Sequence, residues 1–286
     1  IMRAAAELEI PTVAIAPEDD AASLHTRKAD EVHQLPGAGA MAYLNVAQVI
    51  EAARATGADA IHPGYGFLSE NPALARACTE AGITFVGPRT EILELFGDKV
   101  RARQAAADAG VPILPGIDHA ITVEEAHDFF AQLPHSASMI IKALAGGGGR
   151  GVRIVSDASE VDELYKRASS EAKAAFGNGD VYVEQLVPRA RHIEVQIAGD
   201  GTGDIAEFGE RDCSIQRRHQ KLVEIAPAPG FPDELRQRII NAAVSLAEAT
   251  RYNSLGTVEF LVDATDLGPD SSFAFIEANA RLQVEH

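Results

Sequence analysis

The chain has 286 residues, of which 46% are hydrophobic, with no apolar run long enough to cross a bilayer. That excludes a disordered chain and a membrane-spanning one and leaves room for roughly two or three cooperating domains. Lys and Arg number 25 against 42 Asp and Glu, and the formal charge of −17 excludes general nucleic-acid binding, which needs a basic face.

A bound nucleotide is still permitted, because screening over roughly 8 Å lets a few nearby cations outweigh the mean charge. Cys78 and Cys213 are too few for a disulfide framework or a zinc cluster and suit a reducing compartment, the cytoplasm. Residues 1–9 read as helix from the first position with no capping residue in front, and lead to a strand at 12–15. The expectation is therefore that a strand and turn precede Ile1. At the other end, residues 283–286 stop inside a strand-like alternation, so the chain reads as truncated at both ends.

Helix 42–56, strand 59–61, helix 70–81 and strand 84–86 then alternate, which predicts a βα domain with a parallel sheet. The turn His62-Pro-Gly-Tyr-Gly-Phe-Leu-Ser-Glu-Asn71 falls at the C-terminal end of a strand, where ligands of such sheets gather, although a purely structural turn reads the same way. Asp98 is a natural N-cap for helix 99–109, and Lys99 stands at the positive end of that helix's dipole. A lysine held there wants an anion nearby; a solvated surface lysine is the alternative. Helix 122–133 leads on to a strand at 139–142.

That strand carries Lys142 at its end and runs into four glycines at 146–149, then Arg150 and Gly151. Glycines admit positive φ and let backbone N–H groups approach closely, so the run beside a lysine suits a polyanion such as a nucleotide's phosphates, or else it is a hairpin tip. It is not a P-loop, because Lys142 precedes the glycines, and no helix follows: Val152, Ile154 and Val155 read as strand. The unit is strand, glycine loop, strand, a flap able to close over a nucleotide. Helix 158–175 and strand 181–187 complete a small α+β lid spanning about 112–186. In its last strand Glu184, with Gln185 and Leu186 following, can offer a carboxylate and backbone groups to an adenine, or is a solvent-facing residue on an edge strand.

From residue 191 the polar residues fall on strands. His192, Glu194 and Gln196 share one face, and the run 210–221 sets Arg211, Arg217, Arg218, His219 and Lys221 within eleven residues of an acidic chain. This is the local basic patch that an anion requires. Helix 232–252 is amphipathic and packs a core. Strand 257–262 sets Glu259 opposite Val258, Phe260 and Val262. Strand 273–286 is expected to carry Ile276, Ala278, Ala280, Leu282 and Val284 on one side and Glu277, Asn279, Arg281, Gln283 and Glu285 on the other. Glutamate, asparagine and arginine favour strands poorly, so a polar face this uniform points to a demanding environment. Glu259, Glu277 and Asn279 would supply hard oxygen ligands for Mg²⁺ or Mn²⁺, Arg281 can fork onto a small planar oxyanion, and Glu285 beside it can act as general base.

Taken together, Lys99, Lys142 with its flap, the segment 210–221 and the segment 277–286 resemble the biotin carboxylase component of biotin-dependent carboxylases, within the ATP-grasp superfamily. The resemblance covers essentially the whole chain. Its most specific parts are the turn at 62–71, the glycines at 146–151, Arg211-Asp-Cys-Ser-Ile-Gln-Arg-Arg-His-Gln-Lys221 with Ala226-Pro-Ala-Pro229, and Asn279-Ala-Arg-Leu-Gln-Val-Glu-His286.

The resemblance implies an α/β ATP-grasp fold: an N-terminal βα (pre-ATP-grasp) domain at 1–97, linker helices and lid at 98–187, and an incomplete, larger mixed-sheet part at 188–286. It implies ATP-dependent carboxylation, through carboxyphosphate, of biotin on a carrier protein or domain, with bicarbonate as carbon source and Mg²⁺ or Mn²⁺ as metal. A carboxyltransferase partner and a homo-oligomer are implied as well. Lys99, Lys142, Gly147, Gly148, Gly149, His192, Gln216 and His219 correspond to nucleotide ligands, and Glu184 with the backbone of Gln185 and Leu186 to the adenine hinge. Glu259, Glu277 and Asn279 correspond to the metal cluster. Lys221, Arg281, Gln283, the Val284 backbone and Glu285 correspond to the bicarbonate pocket, with Glu285 the base and Arg281 orienting the reacting groups.

Ala278, Ala280 and Gln185 depart from the family's usual residues, at positions expected to tolerate it. The competing readings are another ATP-grasp ligase, such as a carbamoyl-phosphate synthetase half, and an inactive nucleotide-binding module. The piece alone is expected to be inactive, Cys213 is expected to be packing and not a nucleophile, and the final carboxyl acceptor is not legible.

Overall fold

Side-chain caps decide where the N-terminal helices begin. In the computed structural model, which describes residues 1–117, 119–134, 137–144, 151–217 and 220–285, Asn45 accepts from the Gln48 N–H and Asn71 from the Ala73 N–H. Gly57 and Gly82 close the same two helices in the left-handed conformation. The elements run α1 (Met2–Glu7), β1 (Val13–Ala16), α2 (Leu24–Lys28), β2 (Glu31–Gln34), α3 (Gly39–Ala42), α4 (Val46–Thr56), β3 (Ala60–Ile61), α5 (Pro72–Ala81) and β4 (Thr84–Phe85). β1 pairs with β2 and β3 with β4, both parallel, as two separate pairs. The single helix expected over 42–56 is broken at Asn45, whose side chain starts a new helix instead of continuing the old one. α2 and β2 were not anticipated: β2 is exposed along most of its length and has no apolar periodicity to read.

Two helices follow, α6 (Thr90–Phe96) and α7 (Lys99–Asp108), with Asp98 accepting from the N–H groups of Val100 and Arg101 at 3.0 and 3.1 Å. The lid comprises β5 (Gly116–Ile117), α8 (Val123–Gln132), β6 (Met139–Ala143), β7 (Arg153–Val155), α9 (Val161–Phe176) and β8 (Val181–Gln185). Its sheet has the order β5-β8-β6-β7, antiparallel throughout. Alternation divides its two faces: Met139, Ile141, Val181 and Val183 are buried with Phe129 and Ala168 in the lid's own core. Lys142 and Glu184 therefore point to the other face. β8 is an interior strand and Glu184 is buried, so the reading of Glu184 as solvent-facing on an edge strand does not hold. The flap glycines at 146–149 and Arg150 lie outside the described residues, as does His219.

The third part holds β9 (Ala190–Asp200), β10 (Ile205–Arg217), β11 (Gln220–Ile225), α10 (Asp233–Ala249), β12 (Asn253–Asp263) and β13 (Phe273–Asn279). The sheet order is β11-β10-β9-β12-β13. All these strand pairs are antiparallel, and the parallel contribution is the Ile113–Phe275 bridge at the β13 edge. Ile193, Val195, Phe260 and Phe275 bury against Leu235, Ile239 and Leu246 of α10, and the apolar residues of α6 and α7 join that core.

The long strand expected over 273–286 ends at Asn279. A bulge between the Glu259–Glu277 and Phe260–Phe275 pairs leaves Ile276 without a partner and shifts the alternation, so that Phe273, Phe275, Ala278 and Ala280 are buried. Past Asn279 the expected two-sided pattern is lost: Gln283 is buried and Val284 is 61% exposed. Among the described residues no helix is long and apolar enough to cross a membrane.

Candidate active site

With α10 covering one face of the large sheet, the opposite face must accommodate the polar residues that alternate with the core. On β9 these are His192, Glu194 and Gln196, on β12 Thr257 and Glu259, and on β13 Glu277 and Asn279. Glu194 and Glu259 are 0% and 1% exposed, so each needs compensation within the protein. Lys221 on β11 supplies much of it, donating to Glu194 at 2.5 Å and to Glu259 at 2.9 Å. Arg211, also buried, donates to the far oxygen of Glu194 at 2.7 Å and to Gln196 at 3.2 Å.

His192 is oriented from both sides. Gln216 donates to its Nδ1 at 2.8 Å, which leaves Nε2 as the N–H that donates to Glu259 at 2.5 Å. Asn279 donates to Glu259 as well, at 2.5 Å. Burial opposes ionisation of Glu259, but His192 and Lys221 overcome it and hold its pKa down at about 2. For Lys221 burial likewise works against the charged form, yet Glu259 and Glu194 prevail and lift its pKa well above the ordinary lysine value.

Glu277 faces Glu259 directly across β12 and β13. Solvent reaches it, but protein surrounds it as part of the wall of a cavity of about 200 Å³ shared with Lys99, Asn279 and Glu70. Those surroundings, and then repulsion from Glu259, push its pKa above the ordinary carboxylate value, while Lys99 pulls the other way. Lys99 in turn is lowered, first by burial, with Glu277 raising it and Lys142 lowering it. Lys99 is thus within electrostatic reach of Lys142 and Glu277, and Glu277 within reach of Lys221 and His192.

Two carboxylates opposed across a strand pair, one of them lifted by the other, are a set whose repulsion a divalent cation would relieve. Glu259, Glu277 and the amide oxygen of Asn279 fit Mg²⁺ or Mn²⁺ on those grounds. Another trio, Glu194, Cys213 and Glu224, has ligand atoms within 4.8 Å of one another. It is not a metal site, since Glu194 already carries Arg211 and Lys221 and burial keeps the Cys213 thiol protonated. A thiol held so far from ionisation and fully buried is no nucleophile either.

At the chain's far end Arg281 lies 3.4 Å from Glu70 of the 62–71 turn, and donates to Gln283 at 3.3 Å and to Asn279 at 3.4 Å. Gln283 donates to Thr257 at 3.1 Å, and Glu285 is exposed, with its charge helping to raise Glu224 after burial has done so. In the lid, the N–H groups of Gln185 and Leu186 are spent on the carbonyls of Pro115 and Ser138, so neither is left to donate to an adenine. The next N–H, that of Val187, has no acceptor among the described residues. Sequence reasoning also passed over Thr257, Glu70 as the partner of Arg281, and Arg103, which is buried against Glu184. The one available signal for Arg103 is its position one helical turn after Lys99.

Residues 1–93 match the family model described as "Biotin carboxylase, N-terminal domain", and residues 98–286 match "Carbamoyl-phosphate synthase L chain, ATP binding domain". The pyruvate carboxylase of Bacillus subtilis (strain 168) is 52% identical over 289 residues, covering 100% of this chain and 24% of that protein. The mitochondrial pyruvate carboxylase of Homo sapiens is 50% identical over 290 residues with the same coverage. Among solved structures, a biotin carboxylase–β,γ-ATP complex from Campylobacter jejuni superposes with a TM-score of 0.92 at 42% identity, covering 100% of this chain and 63% of that one. The biotin carboxylase domain dimer of Hydrogenobacter thermophilus 2-oxoglutarate carboxylase, in complex with MgADP, ADP and bicarbonate, superposes at 0.91 with 44% identity, covering 100% and 62%. The chain spans about a quarter of the length of the curated relatives it matches.

Proposed function

From the premise that this chain belongs to the biotin carboxylase family of ATP-grasp proteins, we propose that the protein containing it carboxylates biotin at the expense of ATP, with bicarbonate as the carbon source. The observation that carries this reading is the run of opposed charges on the polar face, in which Lys99 acts on Glu277 and Lys221 holds Glu259 directly across the strand pair from Glu277.

In this reading Lys99, Lys142, His192 and Gln216 bind the nucleotide together with Gly147, Gly148, Gly149 and His219, while Glu184 and the strand end beyond it form the adenine hinge. Phosphoryl transfer depends on positioning and on neutralising charge more than on covalent help from the protein. Mg²⁺ or Mn²⁺, held by Glu259, Glu277 and Asn279, would supply part of that neutralisation when bound.

Bicarbonate lies between Lys221 and Arg281, with Gln283 and the Val284 backbone completing its pocket. Glu285 takes its proton, and the resulting anion is stabilised where the cations are fixed in advance. Its oxygen attacks the γ-phosphorus and ADP leaves; the carboxyphosphate formed then gives its carboxyl group to a biotin nitrogen, the C–O bond to phosphate breaking and the departing phosphate taking the nitrogen's proton. The biotin is borne on a carrier protein or domain and is consumed by a carboxyltransferase, within an oligomer in the cytoplasm. The curated relatives support pyruvate as the final acceptor.

The test is bicarbonate-dependent ATP hydrolysis by the full-length enzyme, stimulated by free biotin and abolished by Glu285→Gln. ATP turnover driven by ammonia or glutamine and indifferent to biotin would replace this reading with a carbamoyl-phosphate type of ligase.

A further inference from the structure

Arg103 follows Lys99 by one turn of α7, and its guanidinium enters the lid instead of facing solvent. Nη1 donates to Glu184 Oε1 at 2.8 Å and Nη2 donates to the Leu114 carbonyl at 2.9 Å. Arg103 and Glu184 are each 4% exposed, and the second oxygen of Glu184 accepts from Lys142 Nζ. Lys142 is the more open partner, its side chain 24% exposed.

The backbone makes room for this arrangement. Gly116 pairs opposite Glu184 between β5 and β8. A Cβ at Gly116 would stand 3.1 Å from Glu184 Cγ, 3.3 Å from Arg103 Nη2 and 2.8 Å from the Val183 carbonyl. A side chain at this position would therefore push on the β8 backbone as well as on the ion pair.

A buried carboxylate shared by two cations divides its charge between them. Arg103 is the one sealed inside, with geometry suited to a carboxylate oxygen on one prong and a carbonyl on the other. If Arg103 were absent, the whole charge of Glu184 would fall on Lys142, which would become half of an internal pair with little attraction left for an outside anion. With Arg103 in place, Glu184 fixes where the Lys142 ammonium stands without cancelling it.

We propose that Arg103 is a positioning residue for the nucleotide: by neutralising Glu184 within the lid, it leaves the charge of Lys142 for a phosphate and sets the length at which that charge is presented. This rests on the ATP-binding reading given above.

The experiment uses the full-length enzyme carrying Arg103→Met or Arg103→Lys, each with and without Glu184→Gln, and measures the ATP KM and kcat of bicarbonate-dependent hydrolysis, ADP affinity by calorimetry, and thermal midpoint. Arg103→Met is expected to raise the ATP KM about tenfold with kcat at saturation reduced by less than about threefold, the signature of lost ground-state binding. Arg103→Lys should recover at least about half of that loss on a logarithmic scale, as expected if charge near Glu184 is what matters. In the Glu184→Gln background Arg103→Met should add no more than about twofold, because residues acting through one another are not additive.

Should Arg103→Met fold poorly, the double variant Arg103→Met with Glu184→Gln, which removes both buried charges together, carries the test: its ATP KM should stay within about twofold of that of Glu184→Gln alone. An unchanged ATP KM in Arg103→Met, or losses that multiply in the double variant, overturns the proposal while leaving the function standing. A wild-type enzyme that neither binds nor hydrolyses ATP refutes both.

Discussion

Lys221 stands between two carboxylates that have no water to fall back on, Glu194 at 0% and Glu259 at 1% exposure. Truncating one partner of such a set leaves charges buried without compensation, which costs roughly 3–5 kcal/mol. Lys221→Ala is therefore expected to lower the urea midpoint measurably as well as to abolish bicarbonate-dependent turnover, whereas a purely catalytic lysine would lose turnover alone. Glu259 adds a pH dependence whose sign follows from its depressed pKa. The folded value of about 2 lies below the ordinary 4.5, so its stabilisation is complete above pH 4.5 and drains away as the pH falls toward 2. The stability difference between wild type and Glu259→Gln, followed by urea unfolding, should shrink steadily on acidification through that window and stay flat above it. At this scale the sequence showed which residues share a face, because alternation along β9 and β12 is a local property. It did not show that Lys221 divides itself between Glu194 and Glu259, or that Arg103 reaches Glu184, because those pairs lie 27, 38 and 81 residues apart.

Elements with their own chemical punctuation were legible, and those set by their neighbours were not. Asp98 begins α7 as expected and holds two N–H groups, so Asp98→Ala should cost about 1 kcal/mol in urea unfolding and loosen the turn that presents Lys99. Thr122 and Glu125 form a reciprocal capping box at the start of α8, and Thr122→Ala should destabilise the lid by a similar roughly 1 kcal/mol. Gly151 closes the flap at φ +70°, with a prospective Cβ 3.0 Å from that of Ala143. Gly151→Ala is expected to raise the ATP KM while leaving secondary structure by circular dichroism unchanged. The failures were also of one kind. The helix over 42–56 is split by a cap at Asn45 that reads equally well as a mid-helix polar residue. The strand over 273–286 is shifted by a bulge and stops at Asn279 opposite Thr257, although β12 itself runs on to Asn253, so its end is not set by a residue that the sequence marks.

At the scale of the whole molecule, the lid and the large sheet have separate apolar cores, one around Met139, Ile141 and Val183 and the other around Phe260, Phe275 and Leu246. A nucleotide bridging the two parts should stabilise both at once. In the full-length enzyme, saturating ATP is expected to slow amide exchange in β6 and β8 of the lid and in β9 and β12 of the sheet together; protection confined to one part would place the nucleotide elsewhere. Despite the formal charge of −17, nucleotide affinity should change only modestly with salt, because the partly buried cations that meet the phosphates are screened less than surface ones. By itself the sequence determined the α/β class, the lid between two larger parts, the polar faces of β9 and β12 and the ATP-grasp resemblance, because periodicity, capping residues and short motifs are written in adjacent positions. Only the tertiary structure decided which cation neutralises which carboxylate, that Glu184 is an interior residue with two partners, and where the last strand ends, because burial and pairing depend on segments that meet only when the chain is folded.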